Sequence, residues 1–375
     1  MAIFLIFYTY FLYPGLLFVL VALKRTGTLT SKPARPFSVT GIIAVYNEEN
    51  ILPEKLNNLK SIHYPEGNIS FLFGSDGSTD KTNEIIETSN LENVLLRPFS
   101  DRRGKVSILN DLVNEATGEI IFFSDANTLL QPEALQNLVR HFSDPTVGAV
   151  SGKLNLRSDR STAGGRGESS YWSYENHVKN LESKLYSILG ATGGIYAIRR
   201  SLYIPMPASV SVTDDFLIPM KIVEQGYRVV FEPEAIGVEE TPNSMIGEFK
   251  RKSRIGAQNY HTIPFFAKLL HPRFGFVAFA LWSHKMVRWC VPFLLILLVA
   301  VTAILGQYSA MYSIFFSVFI VFVVIGLLGM IAEKLKLRIG IFSLPYYFLA
   351  MNGALFAGFI KFLFGSQKST WDVLR

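Results

Sequence analysis

The stretch SVTGIIAVYNEE, residues 38–49, decides how this chain folds. Residues 38–45 form an apolar, β-branched run of strand length, and Tyr46-Asn47-Glu48-Glu49 then opens a helical pattern over 48–59. The unit recurs outward from there. Strands are predicted over 69–74, 94–98, 119–124, 147–156 and 228–232, with helices over 79–88, 106–116 and 132–142. Alternation of this kind predicts an α/β domain on a mostly parallel sheet. In such sheets ligands bind at the carboxyl ends of strands, where helix N-terminal amides also point.

Five polar clusters fall at or near such ends. Ala44-Val45-Tyr46-Asn47-Glu48-Glu49 follows the first strand, either as a ligand site or as a helix start with Asn47 capping and the glutamates complementing the dipole. Gly74-Ser75-Asp76-Gly77-Ser78-Thr79-Asp80 follows the second, where Asp76 could accept hydrogen bonds from a base or ribose, or simply sit in a turn before a capped helix. Ser124-Asp125-Ala126-Asn127 closes the apolar run 120–123, lifting two oxygen-bearing side chains out at i and i+2, a pattern suited to Mg²⁺ or Mn²⁺ on a diphosphate. Its sharper form would be Asp-x-Asp; Asn127 supplies a neutral oxygen instead. Thr213-Asp214-Asp215 precedes a helix over 216–226 and offers either a general base or an N-cap. Arg251, Arg254 and Gln258, spaced i, i+3 and i+7 on a helix over 248–260, share one face and could neutralise a leaving diphosphate, or form a solvated basic surface.

In order and position these clusters resemble the membrane-bound family 2 inverting glycosyltransferases of the polysaccharide-synthase type, relatives of cellulose, chitin and hyaluronan synthases. The resemblance covers about residues 38–259 and, more loosely, the membrane region beyond. It rests on AVYNEE at 44–49, SDGSTD at 75–80, RRGK at 102–105, SDAN at 124–127, ATGG at 191–194 and TDD at 213–215. It implies a GT-A-like nucleotide-sugar-binding domain with a mixed, mostly parallel sheet, and a hexosyltransferase using Mg²⁺ or Mn²⁺. By the same resemblance Ala44, Tyr46, Glu48, Asp76, Lys105, Asp125, Arg251 and Arg254 would bind the nucleotide sugar, a UDP-sugar by expectation. Asp125 with Asn127 would hold the metal, Asp215 beside Asp214 would be the base, and Gly193, Gly194 and Thr213 would line the acceptor path. Processive synthases carry Gln-x-x-Arg-Trp where this chain has Arg251-Lys252-Ser253-Arg254-Ile255. Arg254 matches, but Arg251 replaces the glutamine and Ile255 the tryptophan, so processive and single transfer both stay open.

The rest of the sequence speaks of a bilayer. Nearly half the residues are apolar and concentrate in 1–23 and 274–364. The net charge of +6 is not gathered into a basic arm interleaved with aromatics, so no nucleic-acid partner is expected. A lone cysteine, Cys290, excludes an internal disulfide and a cysteine-based zinc cluster. Residues 1–23 read as an anchoring span, 24–37 as a linker, 38–262 as the catalytic domain, 263–289 as an interfacial helix region, 290–364 as the C-terminal membrane region and 365–375 as a tail. Lys24-Arg25 after the first span places the domain in the cytosol at a bacterial or other plasma membrane. Spans are expected over 290–305 and 311–331, whereas 344–364 is a third span or an interfacial or re-entrant element, leaving the side of the C-terminus open. Residues 158–170, polar and glycine-rich, are expected as a mobile loop before a helix over 171–189. Expected partners are a nucleotide-sugar donor, a glycan or lipid-linked acceptor and the bilayer, with a homo-oligomer or export partner left open. Two other functions fit less of the sequence: a polyprenyl-phosphate sugar synthase, and a transporter or scaffold with an inert α/β domain. Against the second, the clear spans hold almost no ionisable residues.

Overall fold

The computed structural model describes residues 1–24, 36–64, 68–157, 163–240, 245–335 and 342–367. The linker expected over 24–37 and the tail from 365 therefore fall largely outside the described residues. One mixed sheet organises the domain, with strand order β3-β2-β1-β4-β7-β6-β8-β5. Strands β1 (Val39–Val45), β2 (Ile69–Asp76), β3 (Val94–Phe99) and β4 (Ile120–Phe123) pair in parallel. Strand β6 (Val147–Arg157) is parallel to β8 (Arg228–Glu240), while β7 (Tyr196–Arg199) and β5 (Leu129–Leu130) run antiparallel to their neighbours. The domain is thus GT-A-like, on a mixed, mostly parallel sheet. Helices α2 (Leu52–Lys60), α3 (Thr82–Glu87), α4 (Lys105–Glu115) and α5 (Ala134–Val139) cover its faces.

Alternation does not reveal β5 and β7, which are too short to carry a pattern of their own. The first helix starts later than expected, at Leu52 rather than Glu48. Asn47 adopts a left-handed φ of 51° and caps no helix. Its Oδ1 instead accepts from Thr79 N at 2.8 Å, while Glu48 N donates to Thr82 Oγ1 and Glu49 N to Asp80 Oδ2. The two loops after β1 and β2 are therefore stapled to each other. The glycine-rich stretch also differs: residues from Ala163 onward open α6 (Ala163–Leu185), and 158–162 lie outside the described residues.

Among the described residues four helices are long and apolar enough to cross a membrane: α1 (Ala2–Leu23), α9 (Phe276–Leu305), α10 (Ala310–Lys334) and α11 (Ser343–Leu363). They mark an integral membrane protein. The helix expected over 274–289 runs on from Phe276 into the following span as one helix. Its polar residues find their partners on α6: His284 sits against Glu182 at 2.7 Å, and Arg288 pairs with Glu175. Tyr13 of α1 also donates to Glu182, at 2.7 Å. Buried charges are tolerated only when paired in this way. At the end of α1, Lys24 donates to the carbonyls of Lys184 and Leu185, the last residues of α6. Membrane helices and catalytic domain are thereby locked to one shared helix.

Helix α8 (Met245–Phe266) crosses α11 at a seam of small residues. A Cβ on Gly358 would lie 2.7 Å from Ser253 O and 2.8 Å from Ala257 N, backbone atoms that cannot turn aside. Gly358→Ala should therefore cost about 1–3 kcal/mol and lower the thermal unfolding midpoint in detergent. Gly353→Ala, whose Cβ would meet only Phe249 at 3.6 Å, should leave it unchanged. Equal midpoints for the two variants would show that the seam is not tight.

Candidate active site

A cavity of about 670 Å³ opens at the carboxyl ends of β1 and β4, roofed by α6, α8 and the start of α7 (Asp214–Glu224). Of the residues expected to bind or react, Ala44, Glu48, Lys105, Asp125, Asn127, Gly193, Gly194, Thr213, Asp214, Asp215, Arg251 and Arg254 all line it. Tyr46 and Asp76 do not line it. Tyr46 lies 3.8 Å beneath the Arg102 guanidinium. Asp76 is wholly buried, and its two oxygens accept from Arg103 N at 2.6 Å and Gly104 N at 2.9 Å. Instead of presenting a free carboxylate, Asp76 fixes the turn in which Gly104 takes φ 90°.

That turn aims Lys105, the first residue of α4. Its ammonium lies 2.9 Å from Asp125 Oδ1 and 3.2 Å from Asp214 Oδ2. Burial works against the charge on both Lys105 and Asp125. Their mutual attraction outweighs it, holding Lys105 above its ordinary range and Asp125 below the usual carboxylate range. Among the described residues Asp215 has no such direct partner. Desolvation, then the neighbouring Asp214, push its carboxyl up to about 7 despite Lys105 and Lys179. Its side chain has room because residue 193 is glycine, where a Cβ would lie 3.0 Å from Asp215 Oδ2. Thr213 occupies the N-cap position of α7 without a side-chain cap bond. Its hydroxyl donates to Asn259 Oδ1 at 3.2 Å, and Asp214 faces Lys105, so neither side chain caps α7 as a helix-start reading requires.

Arg251, Arg254 and Gln258 reach the cavity on one face of α8. Arg251 is also a strut, paired with Glu168 of α6 and, at 2.8 Å, with Glu248. Ile255, in the place of the synthases' tryptophan, lines the cavity as well.

Three polar residues escape the sequence reading. Lys55 is fully buried in α2 and donates to Ser124 Oγ at 2.8 Å and Thr128 O at 2.6 Å, clasping the turn that carries Asp125. Burial lowers its ammonium to about 7. Its signal is a lysine within the buried stripe Leu52, Leu56, Leu59. Lys179 of α6 donates to Thr192 Oγ1 at 2.9 Å in the ATGG turn, and burial, then Lys285, lower it to about 8. Glu239 on β8 accepts from Asn127 Nδ2 at 3.0 Å, and burial, then Asp125, push it up to about 7. Neither Lys179 nor Glu239 has a sequence signal.

A nucleotide-sugar fold with a ring of carboxylates around one lysine, joined to membrane helices, defines the class. Residues 40–205 match the model of the glycosyl transferase family 2, to which the chain is similar over that stretch. Poly-beta-1,6-N-acetyl-D-glucosamine synthase of Staphylococcus aureus (strain MSSA476) is 26% identical over 243 residues, 63% of this chain and 58% of the relative. The same enzyme of Staphylococcus epidermidis is 26% identical over 230 residues, 60% of this chain and 55% of the relative. The chain thus spans less than two thirds of the length of these curated relatives. The mannosyltransferase PcManGT of Pyrobaculum calidifontis, solved in complex with GDP-Man and Mn²⁺, superposes with a TM-score of 0.70 at 25% identity, covering 97% of this chain and 98% of that one.

The clasp around Asp125 can be tested through Lys55. Lys55→Met removes both donors and leaves the Thr128 carbonyl and Ser124 hydroxyl without them in a dry site. A loss of about 1–3 kcal/mol is expected, read as a lower unfolding midpoint. An unchanged midpoint would mean that the turn stands without the lysine.

Proposed function

We propose that this protein is a membrane-bound inverting glycosyltransferase that moves a sugar from a nucleoside-diphosphate donor to a hydroxyl of a glycan or lipid-linked acceptor in cell-surface polysaccharide synthesis. The observation that carries this reading is Asp215, a carboxylate raised to about 7 at the wall of the cavity, with Gly193 leaving the path to it open. Lys24-Arg25 behind the first span supports a catalytic domain on the cytosolic face, at what we take to be a plasma membrane.

In a single displacement the acceptor hydroxyl must lose its proton as its oxygen attacks the anomeric carbon, and the diphosphate leaves from the opposite face. Asp215 takes that proton. Lys105, held between Asp125 and Asp214, lies where negative charge collects on the departing diphosphate, and Arg254 reaches the cavity from α8. Gly193 and Gly194 keep the acceptor path clear of side chains, and Thr213 borders it.

The donor set suits a divalent cation. Asp125 and Asn127 both line the cavity and offer oxygen, the donor that Mg²⁺ and Mn²⁺ take. Asp125 already carries a positive group against it in the form of Lys105. Among the described residues no three His, Cys, Asp or Glu side chains converge as a ready-made cage, so the donor diphosphate is expected to complete the shell. When bound, the ion neutralises charge on the leaving diphosphate. PcManGT, with Mn²⁺ and GDP-Man, supports this part of the reading.

A second acceptor class, a polyprenyl phosphate, is favoured by Lys179, Lys285 and Arg288, which line the cavity where α6 meets α9. Supplying a polyprenyl phosphate in parallel with an oligosaccharide separates the two acceptors.

Screening nucleotide sugars for released nucleoside diphosphate tests the function. Release should require a divalent ion, and full turnover in excess chelator would refute the metal assignment. With the best donor, Asp215→Asn should cut transfer by roughly two orders of magnitude or more while donor affinity stays within a few-fold. Near-normal transfer by this variant, or lost donor binding, would dismiss Asp215 as the base. Because the base form of Asp215 is the deprotonated one, wild-type transfer should rise with pH through about 7. A rate flat between pH 5.5 and 8.5 would contradict that assignment.

A further inference from the structure

The Asp-x-Asn at Asp125 and Asn127 brings one negative charge to a site where Asp-x-Asp would bring two. A divalent cation beside a diphosphate needs negative protein ligands, and affinity follows ligand charge closely. The fold supplies a second carboxylate from elsewhere. Strand β5 pairs antiparallel with β8, Leu129 opposite Val238 and Leu130 opposite Gly237. The chain entering β5, at Asn127, therefore lies beside the chain leaving that pairing, at Glu239. The two side chains meet, Asn127 Nδ2 donating to Glu239 Oε1 at 3.0 Å. With its nitrogen turned to Glu239, Asn127 keeps its oxygen, the only atom of the amide able to ligate a hard cation, for the cavity. Asp125, Asn127 and Glu239 all line that cavity. Arg251 of α8, whose charge is felt at Glu239, directs its Nε to Glu248 and its Nη2 to Glu168 rather than to Glu239.

We propose that Glu239 is the second carboxylate of the metal site: it fixes the amide of Asn127 and, with Asp125, restores the double negative charge of an Asp-x-Asp pair. This rests on the divalent cation in the proposed function. It assigns to a residue on the last strand of the sheet a role that its own sequence neighbourhood does not announce.

The test exchanges charge between the two positions. Mn²⁺ binding to the full chain in detergent, with UDP or GDP present, is read from the loss of the free-ion electron paramagnetic resonance signal. Glu239→Gln keeps an acceptor for Asn127 and removes only the charge, so Mn²⁺ affinity should fall about tenfold or more. The exchanged pair Asn127→Asp with Glu239→Gln keeps both the hydrogen bond and the total charge, and should return affinity to within a few-fold of wild type. Unfolding midpoints and metal-free nucleotide binding confirm that each variant is folded. If the single variant should fail to fold, the exchanged pair still decides, since wild-type affinity in it supports the assignment and lost affinity overturns it. Unaltered Mn²⁺ binding by Glu239→Gln, or no recovery in the exchanged pair, overturns the role of Glu239 and leaves the cation itself standing. No Mn²⁺ binding by the wild type overturns the cation reading and this assignment together.

Discussion

One ammonium group organises the site. Lys105 stands between Asp125, at the end of β4, and Asp214, at the start of α7, while Asp215 follows next in sequence. Without a cation at that point, carboxylates drawn into one poorly hydrated cavity would repel one another and take up protons. With it, Asp125 and Asp214 are matched to a charge, while Asp215 beside them is left raised, which is the condition a general base needs. The lysine is itself positioned from below. Asp76 takes both backbone amides of the preceding turn, and Gly104 supplies a conformation that few side chains adopt. The β2 loop thus aims the lysine by way of the backbone.

The membrane helices hold the other wall of the cavity. Helix α6 carries Glu175 and Glu182 on the side that meets α1 and α9, where His284, Arg288 and Tyr13 answer them. From the same helix Lys179 reaches the ATGG turn, and the carbonyl of Asp215 accepts from Ala191 N of that turn at 2.7 Å. Helix α6 thus carries polar contacts both to the first membrane helix and to the turn that bonds the backbone of the proposed base. Because each of these groups is buried, a shift of α1 or α9 would unpair charge, so the catalytic wall and the membrane anchor must fit together.

The Arg251–Ile255 segment differs in kind from its synthase counterpart. Arg251 bridges α6 and α8 through two glutamates, a structural task that glutamine could not perform by charge. Ile255 faces the cavity without an aromatic ring on which an acceptor sugar could stack. PcManGT superposes over 97% of this chain, whereas the poly-N-acetylglucosamine synthases extend beyond the matched region.

The sequence by itself determined the alternation of strands and helices, the polar clusters at strand ends and the existence of apolar helices, because each is a local pattern of a few to twenty residues. The resemblance those clusters carry, rather than the patterns alone, implied that Asp125, Asp214, Asp215 and Lys105 share one site, and the structure brings them together. Tertiary structure decided what each polar group faces. Glu175 and Arg288 lie 113 residues apart, Asn127 and Glu239 lie 112 apart, and Lys55 and Ser124 lie 69 apart. No window of sequence holds both members of such a pair, so neither the role of Lys55 nor the partner of Arg288 can be read until the chain is folded. The cost of burying an unpaired charge guarantees that partners exist. Only the path of the chain through the sheet and past the membrane helices says which ones they are.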